Sequence, residues 1–193
     1  MVNLKDKVVL VTGAGKGMGR LVAETLAARG ACVAADDVTP INLDETVARI
    51  TAAGGRVKGY VEDVAKKMPV QTLLNQVLDD FGRIDALVNC AEVEPQKTVY
   101  EMDEWDWQRT LDVNLSGPFL LAQSVGRIMK EKGGGTIVLA GARPKGTGRR
   151  AAYLASKAGL AALAKAAEEE FSGFGVKVVL VDSAEAALEA CGK

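Results

Sequence analysis

The chain has no histidine among its 193 residues. That absence removes imidazole acid–base chemistry, His-based triads and most zinc sites. Cysteine is scarce: Cys32, Cys90 and Cys191 have no metal-type spacing, and their odd number fits a reduced compartment better than a disulfide framework. Neither sign of charge dominates, with 24 Lys and Arg against 25 Asp and Glu, so nothing points to nucleic acid or another polyanion as a partner. No apolar stretch is long enough to span a bilayer. The opening MVNLKDKVVLVTG lacks the extended apolar core and cleavage site of a signal peptide. These absences leave a cytoplasmic protein, with no membrane or metal partner, as the expectation. There is no internal repeat and no low-complexity linker, so residues 1–193 are expected to form a single domain.

What is present is a regular alternation. Lys7–Val11, Cys32–Ala35, Arg56–Val61, Ala86–Asn89, Thr136–Ala140 and Val176–Val181 read as strands, most of them continuously apolar, as strands covered on both faces must be. Between them Met18–Ala28, Leu43–Ala53, Val70–Phe81, Glu104–Lys130 and Ala151–Phe171 read as amphipathic helices. Gly30, Gly54–Gly55, Gly82 and Gly133–Gly135 fall just past helix ends. The fold class is therefore α/β: one parallel sheet with helices on both faces, joined by right-handed crossovers.

Immediately after the first strand comes Thr12-Gly13-Ala14-Gly15-Lys16-Gly17-Met18-Gly19, then a helix. The strict G-x-G-x-x-G spacing fails, because counting from Gly13 puts Met18 at its last position. The spacing G-x-x-x-G-x-G fits Gly13, Gly17 and Gly19. Tight turning, close backbone approach and helix N–H groups aimed at negative charge are what a pyrophosphate requires. A flexible turn is the bland alternative for such a loop taken alone. The second strand ends in Asp36-Asp37, near the distance expected of a carboxylate that binds an adenosine ribose. Asp37 favours NAD by repelling a 2′-phosphate, whereas Lys16 could pair with that phosphate and keeps NADP open.

TGAGKGMG, Asp37, Asp63-Val64, Asn89, Asn114 and Tyr153-x-x-x-Lys157 occur in one order on this pattern, over roughly residues 5–181. Together they resemble the short-chain dehydrogenase/reductase family. The resemblance implies a Rossmann-type, doubly wound sheet with a nicotinamide cofactor across the carboxyl ends of its strands. It also implies a small carbonyl or alcohol substrate. By it, Gly13, Gly17, Met18 and Gly19 hold the pyrophosphate, with Lys16 in the same loop, and Asp37 takes the ribose. Asp63 and Val64 border the adenine, and Asn89 and Ala91 line the path to the nicotinamide. Tyr153 would exchange the proton. A free phenol has a pKa near 10, so it needs Lys157, one helical turn away, to stabilise the phenolate; Lys157 would also hold the cofactor ribose. Asn114 would continue a proton relay through water. The Glu104–Lys130 and Ala151–Phe171 helices would pair in a homodimer.

Several features depart from that pattern. Family members usually end the fifth strand with a serine, but Leu139-Ala140-Gly141-Ala142 offers no side-chain donor. Losing one preorganised donor costs on the order of 10²–10³ in rate. Thr147 is the nearest hydroxyl, in an unsuitable register. Asn89-Cys90-Ala91-Glu92 puts a carboxylate where the family has glycine; the expectation is that Glu92 points to solvent, the alternative that it crowds the nicotinamide ribose. After Val181 the chain reads DSAEAALEACGK, leaving little from which to build the usual substrate lid and last strand. Ser183 is suited to cap a short helix there, with Glu185 in its first turn. Arg143, Lys145, Arg149 and Arg150 form a basic insert, read as a solvated loop in preference to an attractor of anionic substrates. The expectation is an oxidoreductase with impaired chemistry, the alternative a silent dinucleotide-binding or dimerising relative.

Overall fold

The computed structural model describes residues 4–141, 146 and 148–192. Ala142, Arg143, Lys145 and Thr147 of the sequence argument lie outside the described residues. The alternation read from the sequence becomes β1 (Val8–Thr12), α1 (Gly17–Ala28), β2 (Cys32–Asp36), α2 (Pro40–Ala52), β3 (Arg56–Tyr60), α3 (Lys67–Phe81) and β4 (Ala86–Asn89). It continues with α4 (Glu104–Leu111), α5 (Gly117–Lys132), β5 (Gly135–Ala140), α6 (Ala151–Ser172), β6 (Val176–Val181) and α7 (Ala184–Ala190). Among the described residues the six strands form one parallel sheet in the order β3-β2-β1-β4-β5-β6.

Side-chain alternation along each strand divides the core in two. Val9, Val11, Val33, Val88 and Val138 pack with Val22 and Leu26 of α1, Leu43 and Ile50 of α2, and Ala187 and Leu188 of α7. Val8, Leu10, Leu87, Ile137 and Leu139 face the other way, onto Leu73 and Val77 of α3, Leu121 and Val125 of α5, and Leu160 of α6. Both faces are covered, which is why β1 and β4 are buried at every position. The outer strand β3 instead carries exposed Arg56 and Lys58, charges that suit an edge.

Two helix boundaries extend earlier than the hydrophobic periodicity indicates, to Pro40 and Lys67, because the apolar residues of those first turns, Ile41 and Met68, are exposed and the buried face starts only at Leu43 and Val70. A larger correction concerns Glu104–Lys130. It is two helices, α4 and α5, joined by a π-helical turn over Asp112–Ser116. Pro118 explains the break: it has no N–H to give to the carbonyl of Asn114, four residues back, so a regular α-helical ladder cannot run through. At the other end Ser183 caps α7 as expected, its hydroxyl accepting from the Ala186 N–H at 3.3 Å.

Candidate functional site

The chain leaves β1 toward β2 and β3 on one side, and β4 begins the other side. A crevice opens at the carboxyl ends of β1 and β4, where the strand order reverses. The cleft there has a volume of about 480 Å³. Gly13, Lys16, Gly17, Met18, Gly19, Asp37, Asp63, Val64 and Ala91 all line it, as do Val38, Thr39, Glu62, Arg109 and Val113, which the sequence argument did not select. Asn89 lies below: its side-chain oxygen accepts from the buried Thr12 hydroxyl at 2.5 Å and ties β4 to β1.

The loop geometry requires glycine at two positions. Gly13 has φ +66°, and a Cβ there would lie 2.7 Å from the Ala91 backbone, so the loops after β1 and β4 touch main chain to main chain. A Cβ on Gly19 would sit 2.1 Å from the Gly13 carbonyl oxygen. The resulting tight turn delivers the start of α1 to the cleft with no side chain capping its first N–H groups. Arg20 braces the loop from behind, donating to the Gly15 carbonyl, to the Asn42 carbonyl at 3.1 Å and to Thr46 at 3.0 Å. Asp37 accepts from the Gly15 N–H at 2.9 Å and from the Thr39 N–H at 2.8 Å. One acceptor site on each carboxylate oxygen remains after those bonds. Its neighbour Asp36 is buried, which pushes its carboxyl well above the usual range; the Glu62 N–H, donating at 3.1 Å, opposes that, and the charges of Asp37, Glu62 and Asp63 add to it. Arg109 pairs with Asp63 at 3.1 Å.

The three residues expected to carry proton transfer come from two elements. Tyr153 and Lys157 lie one turn apart on α6, and both are buried. Asn114 lies in the π-helical turn. Its oxygen accepts from the Val93 N–H at 2.9 Å, and its amide donates to the Val93 carbonyl at 2.9 Å and to the Ser156 hydroxyl at 3.1 Å. Both amide N–H groups are thereby committed. Asn114 holds the chain after β4 in place and presents no N–H to a water.

Glu92 does not point to solvent. Its Oε2 accepts from the Tyr153 hydroxyl at 3.3 Å and lies 3.1 Å from Lys157 Nζ, which also donates to the Ala140 carbonyl at 2.7 Å. The basic insert also divides differently from expectation. Arg149 is exposed, whereas Arg150 is buried, paired with Glu94 and placed 4.7 Å from the centre of the Tyr153 ring. Two carboxylates of the segment after β4 thus meet the N-cap residue of α6 and a lysine two turns into it. A pattern for this existed: Glu92 and Glu94 are two apart, while Arg150, Tyr153 and Lys157 follow i, i+3, i+7 at the start of one helix. Among the described residues no group of three or more His, Cys, Asp or Glu is placed to hold a metal ion, and no helix is long and apolar enough to cross a membrane.

Comparison with known proteins agrees with this geometry. The family model described as short chain dehydrogenase matches residues 7–187. D-threitol dehydrogenase of Mycolicibacterium smegmatis is 40% identical over 177 residues, covering 91% of this chain and 68% of that protein. The crystal structure of a metagenomic short-chain oxidoreductase in complex with NADP superposes with a TM-score of 0.88 at 31% identity, over 93% of this chain and 83% of that one. An NAD+-bound xylitol dehydrogenase gives 0.88 and 31%, over 93% and 70%. With the parallel sheet, the glycine loop at its switch point and the Tyr153–Lys157 pair, these matches place the chain in the short-chain dehydrogenase/reductase family of NAD(P)-dependent oxidoreductases.

Proposed function

We propose that this oxidoreductase interconverts a small carbonyl compound and its alcohol, with Tyr153 as the proton-transferring group and Lys157 as its electrostatic support. The observation that carries the proposal is the placement of the Tyr153 hydroxyl and the Lys157 ammonium on one carboxylate oxygen at the wall of the glycine-built cleft. When bound, the nicotinamide supplies or accepts the hydride. The residues present fit such a cofactor. Gly13, Gly17, Met18 and Gly19 leave main-chain room and helix N–H groups for a pyrophosphate, the space that a Cβ on Gly13 or Gly19 would fill. Asp37 retains acceptor sites for the adenosine ribose, Asp63 and Val64 border the adenine, and Ala91 continues the wall toward the reacting end above Asn89.

NAD is the preferred cofactor, since Asp37, Glu62 and Asp63 line that end of the cleft and would repel a 2′-phosphate; Lys16 is the opposing charge. In reduction the Tyr153 hydroxyl gives its proton to the carbonyl oxygen, and the phenolate left behind faces the Lys157 ammonium. Asn114 holds the Glu92–Val93 segment against α6 by its side chain, and its main chain would continue the proton relay through water. Turnover is favoured over silent binding because relatives of this chain are named as dehydrogenases. The rate is expected to be low because β5 ends at Ala140, followed by Gly141, with no hydroxyl at either position. Residues 1–193 act as one domain, in the cytoplasm. Exposed Trp105 and Phe119, on α4 and α5, support a homodimer formed through these helices and α6.

The test is Tyr153→Phe. Turnover against a panel of ketones, aldehydes and alcohols should fall about 10²–10⁴-fold, while NADH binding, followed by fluorescence, persists. Unchanged turnover would remove Tyr153 from the reaction.

A further inference from the structure

We propose that the Glu92 carboxylate competes with the nicotinamide-side ribose of the cofactor for Lys157, and so sets how tightly this chain binds its dinucleotide. The inference rests on the reading that Lys157 holds that ribose. Glu92 lines the cleft, and one of its oxygens serves both the Tyr153 hydroxyl and the Lys157 ammonium. The Lys157 side chain is only 2% exposed, and Glu92, which contacts its ammonium, is the one of the two that lines the cleft.

The competition is unequal. A carboxylate on a buried ammonium makes a charge-assisted contact about twice as strong as the one a neutral ribose hydroxyl offers. A displaced Glu92 would swing into a cleft that already contains Asp37, Glu62 and Asp63. The main chain gives little help, because Asn114 holds Val93 by both its N–H and its carbonyl. Release therefore runs through rotation of the Glu92 side chain. If that side chain is on Lys157 for about nine-tenths of the time, apparent cofactor affinity falls about tenfold below that of the open site.

Glu92→Gln keeps the shape and an acceptor oxygen but removes the charge. The dissociation constant for NADH, measured by fluorescence titration at neutral pH, should tighten about tenfold. The melting temperature of the cofactor-free protein should fall, since Lys157 loses its buried counter-charge. A purely structural role would weaken both. ADP, which lacks the nicotinamide ribose, should bind wild type and variant alike, and Glu94→Gln, which releases only Arg150, should leave NADH affinity unchanged. Glu92→Gly provides the same test if the glutamine variant does not fold. An unchanged or weaker NADH affinity in both Glu92 variants overturns the proposal. So does equal tightening for ADP, which would trace the effect to cleft charge, or equal tightening in Glu94→Gln, which would trace it to loop opening. Failure of wild type and every variant to bind NADH would instead overturn the cofactor reading on which the inference stands.

Discussion

Asn114→Ala tests whether this residue pins the segment after β4. The substitution removes three hydrogen bonds at 2.9, 2.9 and 3.1 Å, two to the Val93 main chain and one to Ser156. Each contributes about 0.5–1.5 kcal/mol net, so together they account for about 1.5–4.5 kcal/mol. The Ser156 hydroxyl still donates to the Tyr153 carbonyl at 2.7 Å, so α6 keeps that turn, and the loss falls mainly on Val93. For a chain of this length each kcal/mol moves the melting temperature by roughly 2–4 °C, which predicts a fall of roughly 3–18 °C. Differential scanning calorimetry of wild type and variant in one buffer measures it. A fall below about 2 °C would mean that Val93 finds other partners at little cost, and the pinning argument would fail.

Gly19→Ala forces a Cβ to 2.1 Å from the Gly13 carbonyl oxygen. The loop must shift by about 1 Å, with an expected loss of about 100-fold in kcat/KM and circular dichroism unchanged. Asp37→Ser should weaken NADH roughly 10–100-fold, the worth of hydrogen bonds to a charged acceptor, and weaken NADPH less; paired titrations decide it. Burial keeps the Asp36 proton on to higher pH in the folded chain than in the unfolded one. Stability from this group is therefore present below the unfolded value, near pH 4, and is lost as pH rises through the folded one. Asp36→Asn, whose amide oxygen can still accept from the Glu62 N–H, should raise the melting temperature at pH 8. The gain should shrink toward pH 4, and melts across that range check it.

The sheet and the glycine-built cleft at its switch point were legible because they depend on local pattern: apolar runs between glycines, a glycine loop between strand and helix, a carboxylate after β2. Pro118 also announced the π-helical turn, though helical periodicity on both sides of it hid the break. Glu92 and Arg150 were misplaced for a different reason. Their partners lie 65 and 56 residues away in the chain, Lys157 and Glu94, and composition alone makes any charged loop residue look solvated. Only when β4 and α6 are brought together do two spacings, two in the loop and seven in the helix, become one contact surface.

That surface makes the burial of Tyr153 intelligible. Among the described contacts its ring lies under Arg150 and its hydroxyl donates to Glu92, with Lys157 on the same oxygen, so two cations and two carboxylates surround one phenol. Arg150 need not move: it is held by Glu94 and by the Gly146 carbonyl at 2.8 Å. Glu92 is the member whose departure changes the chemistry. Rotating it away would open Lys157 to the ribose that the proposal assigns to it and would break the contact between Glu92 and the Tyr153 hydroxyl. The rotation that admits the cofactor would then be the same one that parts Glu92 from the Tyr153 hydroxyl.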